Sequence, residues 1–228
     1  MGEMVEFPSS RTTVGGYLAT PEAGAGPGLV VIQEWWGLVD HIKDVCDRFA
    51  AEGFSALAPD LYHGATTTEP DEAGKLMMAM DIEQAARDMA GAVDYLAAHE
   101  SVRGRGVGVI GFCMGGGLAL WLATLRPDQV RAAVTFYGVI PWEAAQPHWS
   151  TLTAAVQGHY AENDSSASPE HVAALESRLK DLGVDVEMFV YPATHHGFFN
   201  DTRADAHDED AARQAWIRTL EFLRRHLG

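Results

Sequence analysis

Apolar residues in this chain fall into short runs separated by longer stretches of helical spacing. The runs at 29–33, 54–58, 107–111, 132–137, 154–159 and 184–191 have strand length, and most are apolar without alternation. That pattern fits strands covered on both faces. Residues 4–7 and 14–19 read as an opening hairpin, turned through Ser9, Ser10 and Arg11. Helical patterns occupy 41–51, 82–99, 115–125, 169–182 and 207–227. In the second of these, Ala85, Met89, Ala92, Val93 and Leu96 recur on one face. Ser168, Pro169 and Glu170 mark a helix start, and Gly183 closes that helix where a left-handed residue belongs. Strands alternating with helices predict an α/β fold, a mostly parallel sheet of about eight strands with helices on both faces. No internal repeat or low-complexity linker divides the chain, and the glycine-rich stretch 24–28 is too short to do so. Residues 1–228 read as one domain.

Composition narrows the setting. The chain has 228 residues and two cysteines, Cys46 and Cys113, which make no disulfide framework. They read as free thiols in a reducing compartment. Against 32 acidic residues stand 16 basic ones, a formal charge of −16. Such an excess opposes a nucleic-acid partner and an anionic membrane surface. Residues 1–10 hold two glutamates and no apolar run, so they do not read as a signal peptide. The apolar stretches 107–110 and 118–122 fall far short of the ~20 residues a membrane span needs. The expectation is a soluble cytoplasmic protein, a monomer or weak homo-oligomer, with no nucleic-acid or membrane partner.

The chemistry concentrates in Val107-Gly108-Val109-Ile110-Gly111-Phe112-Cys113-Met114-Gly115-Gly116-Gly117. A strand runs into a helix through Gly-x-Cys-x-Gly, the nucleophile-elbow pattern with sulfur in place of a serine oxygen. Gly111 and Gly115 keep Cβ atoms out of a crowded bend, and Met114 can offer its backbone N–H to an oxyanion. The helix that starts there lowers a thiol pKa at its positive end. Cys113 is therefore the candidate nucleophile. Cys46, among Val45 and Phe49 on a helical face, reads as packing.

In hydrolases with this elbow the chain order is nucleophile, acid, histidine. His196 follows the run ending at Tyr191, at the carboxyl edge of a strand, with Gly197, Phe198 and Phe199 behind it. It is the candidate base, and the adjacent His195 is its competitor. His171, His207 and His226 read as surface residues. Asp164 lies in the loop after the strand 154–159 and before the helix at Pro169, where a carboxylate could orient the imidazole. Glu162 is the alternative from the same loop. Glu34 follows the strand that begins at Leu29, at the end where open α/β sheets bind ligands.

Four segments now carry a resemblance: Gln33-Glu34-Trp35-Trp36-Gly37, Ala58-Pro59-Asp60-Leu61-Tyr62, Gly111-Phe112-Cys113-Met114-Gly115-Gly116 and His196-Gly197-Phe198-Phe199. Over nearly its whole length the chain resembles the dienelactone hydrolase (carboxymethylenebutenolidase) family of α/β-hydrolases. The resemblance implies the α/β-hydrolase fold, with Cys113 as nucleophile, His196 as base and Asp164 as its orienting acid. It makes Glu34 an extra carboxylate that helps form the thiolate, and it pairs Trp35 with Met114 as oxyanion-hole N–H donors. The family's type member is expected to hold a substrate carboxylate with two arginines. Pro70 and Asn200 stand at those places here, with Arg203 close by. A neutral ester, lactone or thioester therefore stands beside a dienelactone as the expected substrate.

The expected reaction is acyl transfer to Cys113 and hydrolysis of the thioester by water that His196 activates. Trp36 and Phe198 are the expected substrate-binding aromatics, with Trp35, Tyr137 and Phe199 near them. No cofactor or metal is expected: His195, His196, Asp201, Asp205, His207 and Asp208 lack ligand spacing and read as a solvated acidic face. A thioesterase or promiscuous carboxylesterase of the same fold, a cysteine redox protein and a non-catalytic binding protein are the alternatives.

Overall fold

The computed structural model describes residues 2–10, 12–22 and 24–228. Met1 of the opening segment and Arg11 of the expected hairpin turn lie outside them. The strands are β1 (Glu3–Ser9), β2 (Thr12–Ala19), β3 (Gly26–Ile32), β4 (Ser55–Pro59), β5 (Val102–Phe112), β6 (Val130–Phe136), β7 (Ala155–Asn163) and β8 (Val186–His195). The helices are α1 (Asp40–Ala51), α2 (Pro70–Ala79), α3 (Ile82–Ala98), α4 (Met114–Leu125), α5 (Pro169–Asp181) and α6 (Glu209–Leu227). One eight-stranded sheet runs β1-β2-β4-β3-β5-β6-β7-β8. β2 is antiparallel to both β1 and β4, and the remaining pairings are parallel. This is the expected α/β-hydrolase architecture.

Apolar residues of the central strands divide between two faces because successive side chains point to opposite sides. Leu29 and Val31 of β3 pack with Val45 and Phe49 of α1 and Phe222 of α6. Val30 and Ile32 pack with Met89 and Val93 of α3 and Leu118 of α4. Burial on both faces is why these runs lack alternation.

Several boundaries differ from the sequence reading. α2 was not expected, and Ala73 is its one buried residue among those described, so it has no apolar stripe to betray it. β6 ends at Phe136, which leaves Tyr137 outside the strand at φ +39°. β7 continues to Asn163 and β8 to His195, so Glu162 lies on a strand and not in a loop. α6 starts at Glu209 and not at His207, since the Asp208 side chain accepts from the Ala211 N–H and caps it there.

The topology positions the site. β3, β5, β6, β7 and β8 are neighbours and run parallel, so their carboxyl ends share one edge. Glu34, Cys113, Tyr137, Asp164 and His196 lie just beyond those ends, at the edge where open α/β sheets take ligands. Among the described residues no helix is long and apolar enough to cross a membrane.

Candidate active site

Cys113 sits between β5 and α4 at φ 56° and ψ −122°, a conformation disfavoured for any residue with a Cβ. Its backbone is fixed from both sides. The Cys113 N–H donates to the Phe136 carbonyl at 3.0 Å, and its own carbonyl accepts from Gly116 N at 3.0 Å and Val139 N at 3.1 Å. The glycines around it are steric requirements. A Cβ on Gly111 would lie 1.9 Å from the Gly115 carbonyl oxygen, and one on Gly115 would lie 2.3 Å from that of Gln33. The elbow thus closes only without those side chains, and it presses directly on the chain that leads into Glu34.

Asp164 and His196 meet across the edge. His196 Nδ1 is 2.7 Å from Asp164 Oδ2, and Asp164 Oδ1 accepts from the N–H groups of Ser166 at 2.8 Å and Ala167 at 3.2 Å. Burial alone would raise the Asp164 pKa, but the bond and charge of His196 and the two N–H groups hold it below its ordinary value. Burial likewise opposes charge on His196. Its bond to Asp164, and a hydrogen bond and charge from the Cys113 sulfur, override that and raise it to about 10. The imidazole therefore favours its protonated form. Of the competing residues, His195 is exposed and lies in the ladder of β8, opposite Asn163. Glu162, exposed, accepts from the Ala193 N–H at 2.8 Å and so anchors the segment leading to His196.

Glu34 is 3% exposed. Its Oε2 accepts from Asn200 Nδ2 at 2.7 Å and its Oε1 from the Tyr137 hydroxyl at 3.3 Å. Burial first, then the charges of Glu34 and Cys113, push the Tyr137 phenol well up, so it remains a donor. The Tyr137 ring lies 4.9 Å from that of His196. The roles of Tyr137 and Asn200 toward Glu34 were not read from the sequence, because these bonds span 103 and 166 positions. Tyr62 is another such residue: its hydroxyl donates to Met114 Sδ at 3.3 Å.

Trp35 is half-buried, and its ring is 5.0 Å from that of Trp36. Among the described residues neither the Trp35 nor the Met114 N–H donates to a protein acceptor. The Arg203 guanidinium lies 5.6 Å over the Trp36 ring. Phe198 requires a correction. It was expected to line the pocket, but it is fully buried, packed on Tyr137, Tyr191 and Phe136. It supports the ring of Tyr137 from below and presents no surface to a ligand. Cys46 is fully buried, and burial pushes its thiol pKa far up. Among the described residues no group of three or more His, Cys, Asp or Glu side chains converges as a metal site. Asp201 and Asp205 face Arg48 and Arg203 instead.

The model of the dienelactone hydrolase family matches residues 14–227. The chain is 39% identical to protein usf of Aquifex pyrophilus, with all of each chain covered. It is 36% identical, again over all of both chains, to an Aquifex aeolicus protein provisionally named a carboxymethylenebutenolidase. Among solved structures, a Klebsiella pneumoniae protein provisionally named a dienelactone hydrolase superposes with a TM-score of 0.89 at 28% identity, covering 99% of each chain. The match to the family model and the full-length relatives together show that the chain belongs to the dienelactone hydrolase family, a family of ester-bond hydrolases.

Proposed function

We propose that the protein hydrolyses a small ester or lactone through a Cys113–His196–Asp164 triad and a thioester intermediate. The observation that carries this reading is the 2.7 Å bond between His196 and Asp164, at a strand edge shared with a cysteine on a strained turn. The Cys113 thiolate attacks the carbonyl carbon, and the carbonyl electron pair moves to oxygen. The Trp35 and Met114 N–H groups hold that oxyanion, which suits two donors that have no acceptor among the described residues. Collapse expels the alcohol oxygen, which takes the Nε2 proton of His196. Water then loses a proton to His196, attacks the thioester and returns sulfur as thiolate. Asp164 holds the imidazole by Nδ1 throughout and stabilises its charged form. Glu34 supplies a buried carboxylate at the same sheet edge, and Trp36 an aromatic wall.

A redox role for Cys113 is the weaker reading, because Cys46, the one other thiol of the chain, is sealed in the core. The hydrolytic reading also suits a reducing cytoplasm, where a catalytic thiol stays reduced. The test is hydrolysis of p-nitrophenyl acetate by the wild type, Cys113→Ala and Cys113→Ser, with intact-mass detection of the acyl adduct. The wild type should show an adduct of one acetyl group and turnover, and Cys113→Ala neither. Turnover that survives in Cys113→Ala would refute the triad.

A further inference from the structure

Glu34 is a buried carboxylate with no cation on it. Its two oxygens accept from an amide and a phenol, and among the described residues no Lys, Arg or His nitrogen lies within 4.0 Å of it. Both donors are held in place. Asn200 is 2% exposed, and its Oδ1 accepts from Thr202 N at 3.1 Å and Thr202 Oγ1 at 2.7 Å. That fixes which end of the amide faces Glu34 and leaves Nδ2 to donate. Tyr137 is fully buried, with its backbone N–H tied to the His159 carbonyl at 2.7 Å. Both Glu34 oxygens thus face donors.

Of the nearby cations, Arg203 pairs with the exposed Asp205 at 2.5 Å and its charge reaches Tyr137, yet it lies more than 4.0 Å from Glu34; Arg48 faces Asp201 at 3.6 Å. His196 shares its charge with Asp164 and the Cys113 sulfur. The backbone just ahead of Glu34 touches the elbow at Gly115, two residues past the nucleophile. A fixed negative charge in a water-poor surrounding acts over several ångströms with little screening.

We propose that Glu34, its two oxygens held by Asn200 and Tyr137, makes the site select against acyl groups that carry a negative charge and makes Asn200 a specificity-determining residue. This rests on the hydrolytic reading above and adds the charge class of the substrate. Neutral acyl groups pass the Glu34 field without penalty, whereas a carboxylate on the acyl chain is repelled on approach and again as negative charge develops in the transition state.

The test compares two esters of similar length, p-nitrophenyl butyrate and mono-p-nitrophenyl succinate, in the wild type, Glu34→Gln and Asn200→Arg. Each enzyme is its own reference, so a general loss of activity cancels in the ratio of the two kcat/KM values. The wild type should favour the butyrate by about tenfold or more, with little dependence on added salt. Glu34→Gln removes the charge in nearly the same shape, and Asn200→Arg neutralises it, so both variants should narrow the ratio. Equal use of both esters by the wild type, or a ratio unchanged in both variants, would overturn the inference while leaving the hydrolase intact. Failure of both esters to acylate Cys113, read by intact mass, would overturn the hydrolytic reading and this inference with it.

Discussion

His196 and Asp164 are joined by a 2.7 Å Nδ1–Oδ2 contact in which the carboxylate is buried and the imidazole is the more exposed partner. The Asp164 carboxylate is itself braced by two backbone N–H groups, so it holds the ring and does not follow it. Asp164→Asn should keep the fold but lower kcat/KM by about 10²–10⁴-fold, since an amide can leave the imidazole in the wrong tautomer and cannot stabilise its charge. The His196 pKa, raised to about 10, should fall in the variant. The sign for stability follows from the same shift. The raised His196 pKa contributes fully below its ordinary 6.5 and loses that contribution as pH rises through about 10. Asp164, held low, keeps its own contribution until pH falls through its depressed value. A pH–rate profile with histidine NMR checks both, and near-normal turnover in Asp164→Asn would remove it from the mechanism.

The elbow makes a steric prediction. In Gly115→Ala the new methyl would sit 2.3 Å from the Gln33 carbonyl oxygen and 2.5 Å from that of Ile32, both backbone atoms with no room to retreat. The variant should lose about 1–3 kcal/mol or more of stability and most of its activity, as overpacked sites do. Gly74 is the control, because it lies in α2 with nothing within 4 Å of the added carbon. Gly74→Ala should gain about 0.5–1 kcal/mol, since alanine loses less backbone freedom in a helix. Urea unfolding of the two variants decides the matter; similar behaviour would mean the bend tolerates a Cβ.

The two thiols should separate by reactivity. Cys46 is fully buried with its pKa pushed far up, while Cys113 is partly exposed at a helix start. Thiolate, and not thiol, is the reactive species. The native protein should therefore consume one equivalent of iodoacetamide at pH 7, at Cys113, with the second released only on denaturation. Peptide mapping that finds Cys46 alkylated in the folded state would contradict its place in the core.

Much of this site was legible because its chemistry is local in sequence. The elbow announces itself through glycines on both sides of Cys113, and Asp164 and His196 follow strands whose apolar runs are plain. What escaped is long-range or conformational. Tyr137 looked like the end of a strand, and nothing in Val134-Thr135-Phe136-Tyr137 signals the φ of +39° that turns its hydroxyl toward Glu34. Asn200 was visible only as a residue out of keeping with the family's arginine; its bond to Glu34 depends on the fold bringing β3 and the segment after β8 together. Phe198 was read as a pocket wall because an aromatic beside a catalytic histidine has two faces to choose from, and periodicity after a strand end does not choose. Helix α2 lacked the apolar stripe on which helix recognition depends.

Beneath the site, His159 makes the last prediction. It is fully buried on β7, with Nε2 2.9 Å from Gln157 Oε1 and Nδ1 2.9 Å from the Tyr191 hydroxyl. Gln157 Nε2 is committed to Glu187 at 2.8 Å, so the Gln157 oxygen must face the ring and accept from Nε2. Arg218 donates to the Tyr191 oxygen at 3.1 Å, which leaves the phenol proton for Nδ1. Thr219 Oγ1 also lies 3.1 Å from Nε2. Burial and then the Arg218 charge oppose a second ring proton and lower the His159 pKa to about 3. The unfolded chain, at an ordinary value near 6.5, binds that proton first. Stability from this group is therefore complete above pH 6.5 and declines as pH falls toward about 3, by about 1.4 kcal/mol per pH unit. His159→Gln should cost stability at pH 7 yet flatten the slope between pH 6.5 and 4.5, a window above the usual carboxylate range. Urea midpoints at steps through that window measure it, and parallel slopes in wild type and variant would show that His159 accepts its proton without unfolding.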